Sequence, residues 1–303
     1  MKEKIDKIME VLKLDSYTTF ASVYDEFMDN VPYDEWSKRI HNILCEHNIN
    51  SGLVLDLGCG TGTMTEKLAS YGYDMIGVDN SVEMLNIAQE KRKKSNCDIL
   101  YLHQDMSKLE LYGTVRAVVC VCDSINYILE KAELVEVFSL INNYLDPEGL
   151  FIFDFNTEHK YENVIGNRII AENRKDKSFI WENYYHKYKR LNEMELTLFI
   201  RKDGDLFTRS TELHYQKAYS LAEMKQAIEK SGLKFLSAYD GYLDMCAIEG
   251  NERIIVVAKE VQKEKAVDAT LITEKKSVSR VNENLDQDVL ETVNDDNGGQ
   301  NGI

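Results

Sequence analysis

The chain has 303 residues, enough for one α/β domain with additional segments. It contains 36 Lys and Arg against 52 Asp and Glu, which gives a formal net charge of −16. Such a negative protein repels nucleic-acid phosphates and anionic lipids, so a dedicated nucleic-acid or membrane-surface protein is disfavoured. No apolar run reaches the roughly 18 residues of a membrane span, and residues 1–7 lack the apolar core of a signal peptide. We therefore expect a cytoplasmic protein.

The first half of the chain alternates helical and extended patterns. Two helical patterns cover residues 1–14 and 34–48. Further helices are predicted at 63–71, at 81–94 with Ser81 as N-cap, and at 133–145, which should stop at Asp146-Pro147-Glu148-Gly149. Strands are predicted at 53–57, 74–78, 98–102, 117–121 and 150–155. This alternation predicts βαβ units and hence a doubly wound parallel sheet.

Extended segments replace this alternation after residue 157. They lie at 167–172, 178–188, 193–201 and 206–217, and Asp203-Gly204 between the last two predicts a hairpin. We therefore expect an antiparallel insert. A helix at 220–230 and strands at 234–239 and 253–259 should complete the domain. Residues 281–303 carry six acidic residues and no basic ones, which predicts a disordered tail.

A glycine-rich loop follows the first predicted strand, in the stretch Leu55-Asp-Leu-Gly-Cys-Gly-Thr-Gly62. Because glycine has no Cβ, a ligand can lie against the backbone and the first amides of the following helix. Asp79 ends the next strand, where a carboxylate accepts the hydroxyls of an adenosine ribose. The loop and the acid together predict a nucleoside-containing cofactor; the alternative is a tight turn with Asp79 as a helix-start acid.

The spacing Asp-x-Gly-x-Gly-x-Gly resembles motif I of the class I S-adenosylmethionine-dependent methyltransferases. Three further stretches resemble the same family: Gly77–Met84, Gln104–Met106 and Cys122–Tyr127. A dinucleotide fingerprint would require glycine at position 63, where this chain has Thr63. The resemblance covers about residues 15–260. It implies a doubly wound, seven-stranded, Rossmann-like α/β sheet with an antiparallel β insert, and S-adenosyl-L-methionine as cofactor.

The resemblance, together with the fall in apolar density after residue 260, predicts how the chain is divided. Its five parts are an N-terminal helical lid at 1–50, the cofactor-binding core at 51–157, the insert over the active site at 158–217, the completion of the core at 218–260 and the acidic tail at 261–303. The stretches Ser16–Asp25 and Val31–Trp36 resemble the lid of a small-molecule branch that includes glycine N-methyltransferases and quinone methyltransferases.

A set of cofactor contacts follows from the family's motifs. Asp79 would bind the ribose, Asn80 would lie beside the adenine and Asp105 would meet the adenine amino group. Three lid aromatics would face the methionine carboxylate or the sulfonium. The full predicted set is Tyr17, Tyr24, Trp36, Asp56, Gly58, Cys59, Gly60, Gly62, Asp79, Asn80, Met84, Asp105, Met106 and Cys122.

Acceptor-site candidates follow the fourth and fifth strands, at the sheet edge where doubly wound folds bind ligands. On the insert, alternation places Glu212 and His214 on one strand face, with His214 as a base and Glu212 orienting it; the alternative is a solvated face. The predicted catalytic residues are His214, Asp123 and Tyr127, and the predicted acceptor contacts are Asn126, Asp154, Asn156 and Glu212. Arg168, Arg174 or Arg190 could hold an anionic acceptor, or lie on solvated surface.

The predicted activity is methyl transfer to a small-molecule acceptor, with no nucleic-acid or membrane partner. Its alternatives are a protein or RNA methyltransferase, a non-catalytic S-adenosylmethionine-binding regulator and a dehydrogenase. Tyr127 and Lys131 fit the Tyr-x-x-x-Lys pair of short-chain dehydrogenases, but the glycine pattern does not, and Lys131 suits an exposed helix start. The six scattered cysteines and the lack of ligand spacing predict no metal site. The acceptor atom and the oligomeric state cannot be read from the sequence.

Overall fold

The computed structural model describes residues 17, 19–248 and 250–264, so the predicted helix at 1–14 and all but the first residues of the tail lie outside it. Met1–Lys263 group into one unit and Glu264–Ile303 into a second, and every helix and strand described below belongs to the first. Among the described residues, no helix is both long enough and apolar enough to cross a membrane.

Helices and strands alternate through the first half, as predicted. The helices are α1 Ala21–Phe27, α2 Tyr33–Glu46, α3 Thr63–Ser70, α4 Val82–Ser95 and α5 Lys131–Tyr144. The strands are β1 Gly52–Leu57, β2 Tyr73–Asp79, β3 Ile99–His103, β4 Val115–Cys120 and β5 Leu145–Asn156. The predicted N-cap is confirmed, because the Ser81 hydroxyl accepts a hydrogen bond from the Met84 amide.

The second half contains four long strands, one helix and two closing strands. They are β6 Ile169–Asn173, β7 Lys177–His186, β8 Leu191–Asp203, β9 Leu206–Lys217, α6 Leu221–Lys230, β10 Lys234–Asp240 and β11 Arg253–Lys259. A capping box between Ser220 and Glu223 fixes the start of α6. A π-helical stretch at Lys160–Ile165, which the sequence analysis missed, connects β5 to β6.

Seven strands form the main sheet in the order β10-β11-β5-β4-β1-β2-β3. The strands from β5 to β3 run parallel, and β11 is antiparallel to both β5 and β10. The predicted doubly wound sheet is thus confirmed. The strand order reverses between β1 and β4, the point at which open α/β sheets bind ligands.

Hydrophobic clusters cover both faces of this sheet, which is why its central strands are almost continuously apolar. One cluster contains Phe151 and Phe153 of β5, whose rings stack with centroids 4.6 Å apart. The other contains Ile152 of the same strand together with Ile40 and Leu44 of α2. Alternate residues of β5 therefore anchor opposite layers.

The strands β6, β7, β8 and β9 form a separate antiparallel sheet, which we call the insert sheet. Its last hairpin pairs Asp203 with Leu206, as the Asp-Gly signal predicted. Helix α1 packs against this sheet, where Val23 and Phe27 join Leu196 and Leu198 in one buried cluster. Burial of this apolar stripe fixes α1 on the insert sheet.

The start of β5 differs from the prediction. Leu145 pairs with Val115 and Leu150 pairs with Ala117, so residues 146–149 form a bulge inside the strand rather than a turn before it. Glu148 at this bulge has φ 65°, and its amide donates to the Glu260 carboxylate at 3.1 Å. Pro147 and Gly149 therefore mark a break, but it is a break in the pairing of β5 with β4 and not a turn before the strand.

The chain beyond β11 returns to the end of α5. The Lys263 ammonium donates to the carbonyl oxygens of Asn142 and Asn143 at 2.7 and 2.8 Å. The Glu260 carboxylate accepts the backbone amides of Gln262 and Lys263 at 2.6 and 2.7 Å. These bonds satisfy carbonyls at the C-terminal turn of α5 that have no partner within the helix.

Candidate active site

A pocket lies at the carboxyl ends of β1 to β4. The space within it, counting the solvent at its open mouth, is about 1120 Å³. Predicted cofactor residues that line it are Tyr17, Tyr24, Asp56, Gly58, Cys59, Gly60, Asp79, Asn80, Met84, Asp105, Met106 and Cys122, and the predicted catalytic residue Tyr127 joins them.

The glycine loop has the shape of a cradle. The amides of Gly58 and Cys59 both donate to the Val78 carbonyl, at 2.8 and 3.0 Å, which ties the loop to β2. Gly60 has φ +54°, and nothing lies within 4 Å of the position a Cβ would take there. A side chain at Gly60 would therefore enter the pocket, which is the observation expected if a ligand lies against this backbone.

Gly62 has a different role from the one predicted. It precedes α3 with φ +77°, and a Cβ there would collide with the Tyr101 hydroxyl. It does not line the pocket, and its lack of a side chain allows the close packing of α3 against β3. Trp36 also lies away from the pocket lining, stacked on Tyr242 with ring centroids 4.2 Å apart.

The carboxylates of fully buried Asp56 and half-buried Asp79 flank the glycine loop. Asp79 accepts the Ser81 amide through Oδ1 at 2.9 Å and the Gly60 amide through Oδ2 at 2.8 Å. Burial raises the pKa of Asp79 although these amides oppose the shift. Burial also raises the pKa of Asp56 to about 7, against a 2.6 Å hydrogen bond from Thr65. Asp56 Oδ1 has no hydrogen-bond partner among the described residues.

The remaining wall offers apolar surface and two further acids, Asp105 and Glu133. Met84, Met106 and Ile128 line the pocket. Asp105 lines it too, and its Oδ1 accepts the amide and hydroxyl of Ser107, both at 2.8 Å. A half-buried carboxylate for hydroxyls, an open glycine backbone and apolar side chains for a ring system together fit a nucleoside.

Tyrosines cover the other end of the pocket, where Tyr17, Tyr24 and Tyr33 line it beside Tyr127. The hydroxyls of Tyr17 and Tyr127 are 2.7 Å apart. The backbone amides of Tyr17, Thr19 and Phe20 all donate to the Glu212 carboxylate, at 2.9, 2.7 and 2.8 Å. One side chain of the insert sheet thus fixes the segment that leads into α1.

His214 and Glu212 are buried, with 1% and 5% exposure, so a solvated strand face is excluded. His214 does not line the pocket but lies behind Tyr127, with Nδ1 at 3.2 Å from the Tyr127 hydroxyl. Its Nε2 finds no hydrogen-bond partner among the described residues and lies 3.4 Å from Glu212 Oε2. The two residues form a dyad whose access to the pocket runs through tyrosine hydroxyls.

The predicted acceptor acids form an ion cluster with an arginine that the sequence analysis missed. Arg253 donates to Asp123 at 2.6 Å, and its Nη1 lies 2.9 Å from Asp154. Asp154 also accepts the amides of Cys122 and Asp123, at 3.1 and 2.7 Å. Neither acid is among the lining residues. The sequence feature that could have identified Arg253 is its position as a single arginine at the start of the apolar stretch 253–259.

Asn126 and Asn156 connect secondary structure instead of lining the pocket. The Asn126 amide group donates to the carbonyls of Asn156 and Lys217, both at 2.9 Å, and its Oδ1 accepts the Asn156 amide at 2.9 Å. These bonds join the short helix at Ser124–Tyr127 to β5 and β9. The two asparagines therefore hold Tyr127 in place.

Two of the three candidate arginines are paired elsewhere. Arg174 binds Asp29 at 2.8 Å and also contacts Glu172, while Arg190 binds Glu158 and Glu223 at 3.0 and 2.7 Å. Lys131 begins α5, as the exposed-helix interpretation predicted. Lining residues that the sequence analysis missed are Tyr33, Leu57, Thr61, Thr63, Met64, Val78, Gln104, Val121, Ser124, Ile128 and Glu133.

Comparison with known proteins agrees with this geometry. Residues 54–149 match the methyltransferase domain family. The chain is 34% identical over 245 residues to a provisionally named methyltransferase of Geobacillus sp. (strain WCH70), covering 80% of this chain and 99% of that protein. It is 33% identical over 244 residues to YqeM of Bacillus subtilis (strain 168), another provisionally named methyltransferase, with 80% and 96% covered.

A solved structure extends the similarity to three dimensions. The crystal structure of an S-adenosylmethionine-dependent methyltransferase from Clostridium acetobutylicum ATCC 824 is similar with a TM-score of 0.74 and 30% identity, covering 81% of this chain and 99% of that one. The similarity therefore spans the main sheet and the insert sheet together.

Proposed function

Since this chain belongs to the S-adenosylmethionine-dependent methyltransferases, we propose that it transfers the methyl group to a small molecule held beside Tyr127 and Cys122. It is an enzyme, and S-adenosyl-L-methionine is its cofactor. When bound, the cofactor supplies a methyl group activated by a positively charged sulfur.

The pocket residues suggest how the cofactor is held. Asp79 keeps lone pairs for the ribose hydroxyls beyond those used by Gly60 and Ser81, and charge-assisted hydrogen bonds of this kind are strong. Gly60 presents bare backbone to the ligand. Met84 and Met106 offer apolar surface for the adenine, with Asp105 beside them. Tyr17 and Tyr24 would cover the methionine end.

The observation that carries the small-molecule proposal is the way the tyrosine end is covered. Tyr17 and Tyr24 are contributed by the segment that Glu212 and the apolar face of the insert sheet hold in place. An acceptor under this cover must fit among side chains. The formal net charge of −16 adds an electrostatic penalty for RNA.

The chemistry asks little of the protein beyond alignment. Methyl transfer from a sulfonium is an in-line displacement with a good leaving group, so placing the acceptor atom behind the methyl carbon supplies most of the rate. Half-buried tyrosines at the covered end would limit the access of water and fix the orientation of the acceptor. Proton removal is required only for an acceptor that arrives protonated or loses a proton on methylation.

The test is a labelling screen with methyl-labelled S-adenosylmethionine. The full-length enzyme is incubated separately with a small-metabolite fraction, a protein fraction and an RNA fraction, and Gly60→Val serves as the control that should not bind cofactor. We expect label in a small molecule. Label in protein or RNA would contradict the proposal, and tight cofactor binding with no transfer would favour the non-catalytic regulator. Titration with a nicotinamide cofactor tests the dehydrogenase alternative, because only a dehydrogenase is expected to bind it.

A further inference from the structure

Four side chains form a continuous chain from the pocket into the insert sheet. The Tyr17 and Tyr127 hydroxyls are 2.7 Å apart, the Tyr127 hydroxyl is 3.2 Å from His214 Nδ1, and His214 Nε2 is 3.4 Å from Glu212. Tyr17 and Tyr127 line the pocket, whereas His214 and Glu212 are buried behind them. The two steps through tyrosine hydroxyls are hydrogen bonds, whereas His214 and Glu212 are in contact at ion-pair distance without hydrogen-bond geometry.

The chemistry of the members gives this chain a direction. Glu212, as an ionised carboxylate, offers only acceptor atoms, so its charge favours the His214 tautomer with the proton on Nε2, although the two groups lie at ion-pair distance without hydrogen-bond geometry. His214 Nδ1 is then an acceptor and takes the Tyr127 hydroxyl proton. The Tyr127 oxygen in turn accepts from Tyr17. The Tyr17 oxygen is left as the acceptor at the pocket end of the chain.

We propose that Tyr17, Tyr127 and His214 form a proton relay that accepts the proton lost by a protic N–H or O–H acceptor during methylation. The relay rests on the proposed function and deepens it by naming the acceptor class. Glu212 has a double role, because the same carboxylate binds the Tyr17 backbone amide at 2.9 Å. The relay is complete only when the segment at Tyr17, Thr19 and Phe20 is bound to Glu212.

The step balances in atoms and charge. The acceptor atom forms a bond to the methyl carbon while the carbon–sulfur bond breaks and its electron pair remains on sulfur. The acceptor's proton passes to the Tyr17 oxygen, the Tyr17 proton to Tyr127 and the Tyr127 proton to His214 Nδ1. The resulting imidazolium is balanced by Glu212, and the proton returns to water along the same route after the product leaves.

The surroundings suit a relay through neutral phenols. Burial raises the pKa of Tyr17 and of Tyr127 well above the usual range, so neither holds a negative charge. The nearby acids Asp123 and Asp79 and the Cys122 thiol raise the pKa of Tyr17 further. Burial opposes ionisation of Glu212, but the nearby His214 ring and the hydrogen bonds from the amides of Phe20 and Thr19 prevail and lower its pKa. On the adjacent strand β8, uncharged Met194 is paired with His214.

One arm of the test needs no acceptor. The full-length protein is labelled with ¹⁵N-histidine, S-adenosylhomocysteine is added as the probe, and the His214 resonances are assigned by their loss in His214→Gln. We expect the proton on Nε2 and none on Nδ1, an Nδ1 resonance that moves in Tyr127→Phe, and a larger share of the other tautomer in Glu212→Gln. A ring protonated on Nδ1, or one insensitive to Tyr127→Phe, overturns the relay.

The second arm is kinetic and uses the acceptor returned by the labelling screen. Tyr127→Phe and His214→Gln should each lower kcat by about 10²- to 10⁴-fold, with little change in KM or in cofactor affinity. The double variant should be no slower than the slower single one, because both break one relay. Additive losses, or wild-type kcat in either variant, contradict the proposal.

The matched control is Tyr161→Phe. This variant removes a buried phenolic hydroxyl that donates to Gln216 at 3.0 Å. Gln216 lies on the same strand as His214, and neither Tyr161 nor Gln216 lines the pocket. The kcat of this variant should equal that of the wild type. The two proposals fail separately: a protein that does not bind S-adenosylhomocysteine contradicts the proposed function, whereas bound probe with the wrong His214 tautomer contradicts only the relay.

Discussion

Arg253 donates a hydrogen bond of 2.6 Å to the carboxylate of Asp123, a residue 130 positions earlier in the chain. The same guanidinium lies 2.9 Å from fully buried Asp154. Two acids that the sequence placed in the acceptor site thereby share one counter-cation. Their first role is to hold the turn after β4, on which Cys122 and Tyr127 are carried.

Arg253→Met should destabilise the fold strongly. The variant keeps most of the volume but leaves buried Asp154 and its neighbour Asp123 without a counter-charge, which costs about 3–5 kcal/mol of unfolding free energy. Urea unfolding measures the loss. Lys93→Met, which breaks an exposed pair with Glu90 on α4, is the control and should change little. If the Arg253→Met variant proved as stable as the Lys93→Met variant, the cluster would not be the anchor we describe.

Asp79→Asn should weaken cofactor binding at least about tenfold, because charge-assisted hydrogen bonds to the ribose become neutral ones. Calorimetry with S-adenosylmethionine gives the affinity. Asp74→Asn changes an exposed acid at the other end of the same strand and should bind as the wild type does. Equal affinity of folded Asp79→Asn and wild-type protein would remove Asp79 from the cofactor site.

Gly60→Val should abolish cofactor binding, since its side chain would occupy the space that the ligand needs. Left-handed backbone also penalises valine, by about 1–3 kcal/mol. Gly204→Val separates the two effects: Gly204 has φ +49° and open space around its Cβ position, but lies in the β8–β9 hairpin. Both variants should lose similar stability, and only Gly60→Val should lose binding. Retained binding would mean that the loop is a turn alone.

Asp56 should make stability depend on pH. Its pKa in the folded state is raised to about 7, whereas an unfolded aspartate titrates near about 3.9. Between these values the folded state binds the extra proton, so the unfolding free energy contributed by this group falls as pH rises from about 4 to 7. Asp56→Asn removes this slope, and the stability of the variant relative to wild type should rise over that window and stay flat below it.

The measurement is the difference in urea-unfolding free energy between the two proteins from pH 3 to 8, because the difference cancels other titrating groups they share. A difference that stays constant across about pH 4–7 would show that Asp56 is ionised in the fold.

The main sheet was predictable because its signals are local. Apolar runs define β1 and β4, Ser81 and Ser220 cap helices, and Gly204 marks a hairpin. The limits of β5 were not predictable from the sequence. They depend on the bulge between β5 and β4, and the residues next to Leu145 do not determine how it pairs with β4. Local turn residues cannot distinguish a loop from an interrupted ladder.

The cofactor side of the pocket was largely predictable, and the acceptor side was not. Parallel strands place their carboxyl ends at the same edge of the sheet whatever the conformation of the loops. Gly60, Asp79 and Asp105, which follow or end three such strands, are therefore brought together by the strand order alone. Whether Asp154 faces a ligand depends on Arg253, which β11 brings alongside from a distant part of the chain. The alternation of residues along β9 predicts that His214 and Glu212 share one face of the strand. It does not show which segment packs on that face, so it could not show that Tyr127 separates His214 from the pocket.

Lys263 determines how far the unit Met1–Lys263 can be shortened from its C-terminal end. A chain that stops at Lys263 keeps the ammonium on the carbonyls of Asn142 and Asn143, together with the amides that donate hydrogen bonds to buried Glu260. Truncation at Lys259, the last residue of the final strand, would strip the end of α5 of its donors and loosen the layer beneath β5. The C-terminal limit of the unit Met1–Lys263 is thus a helix cap supplied by residues beyond the last strand.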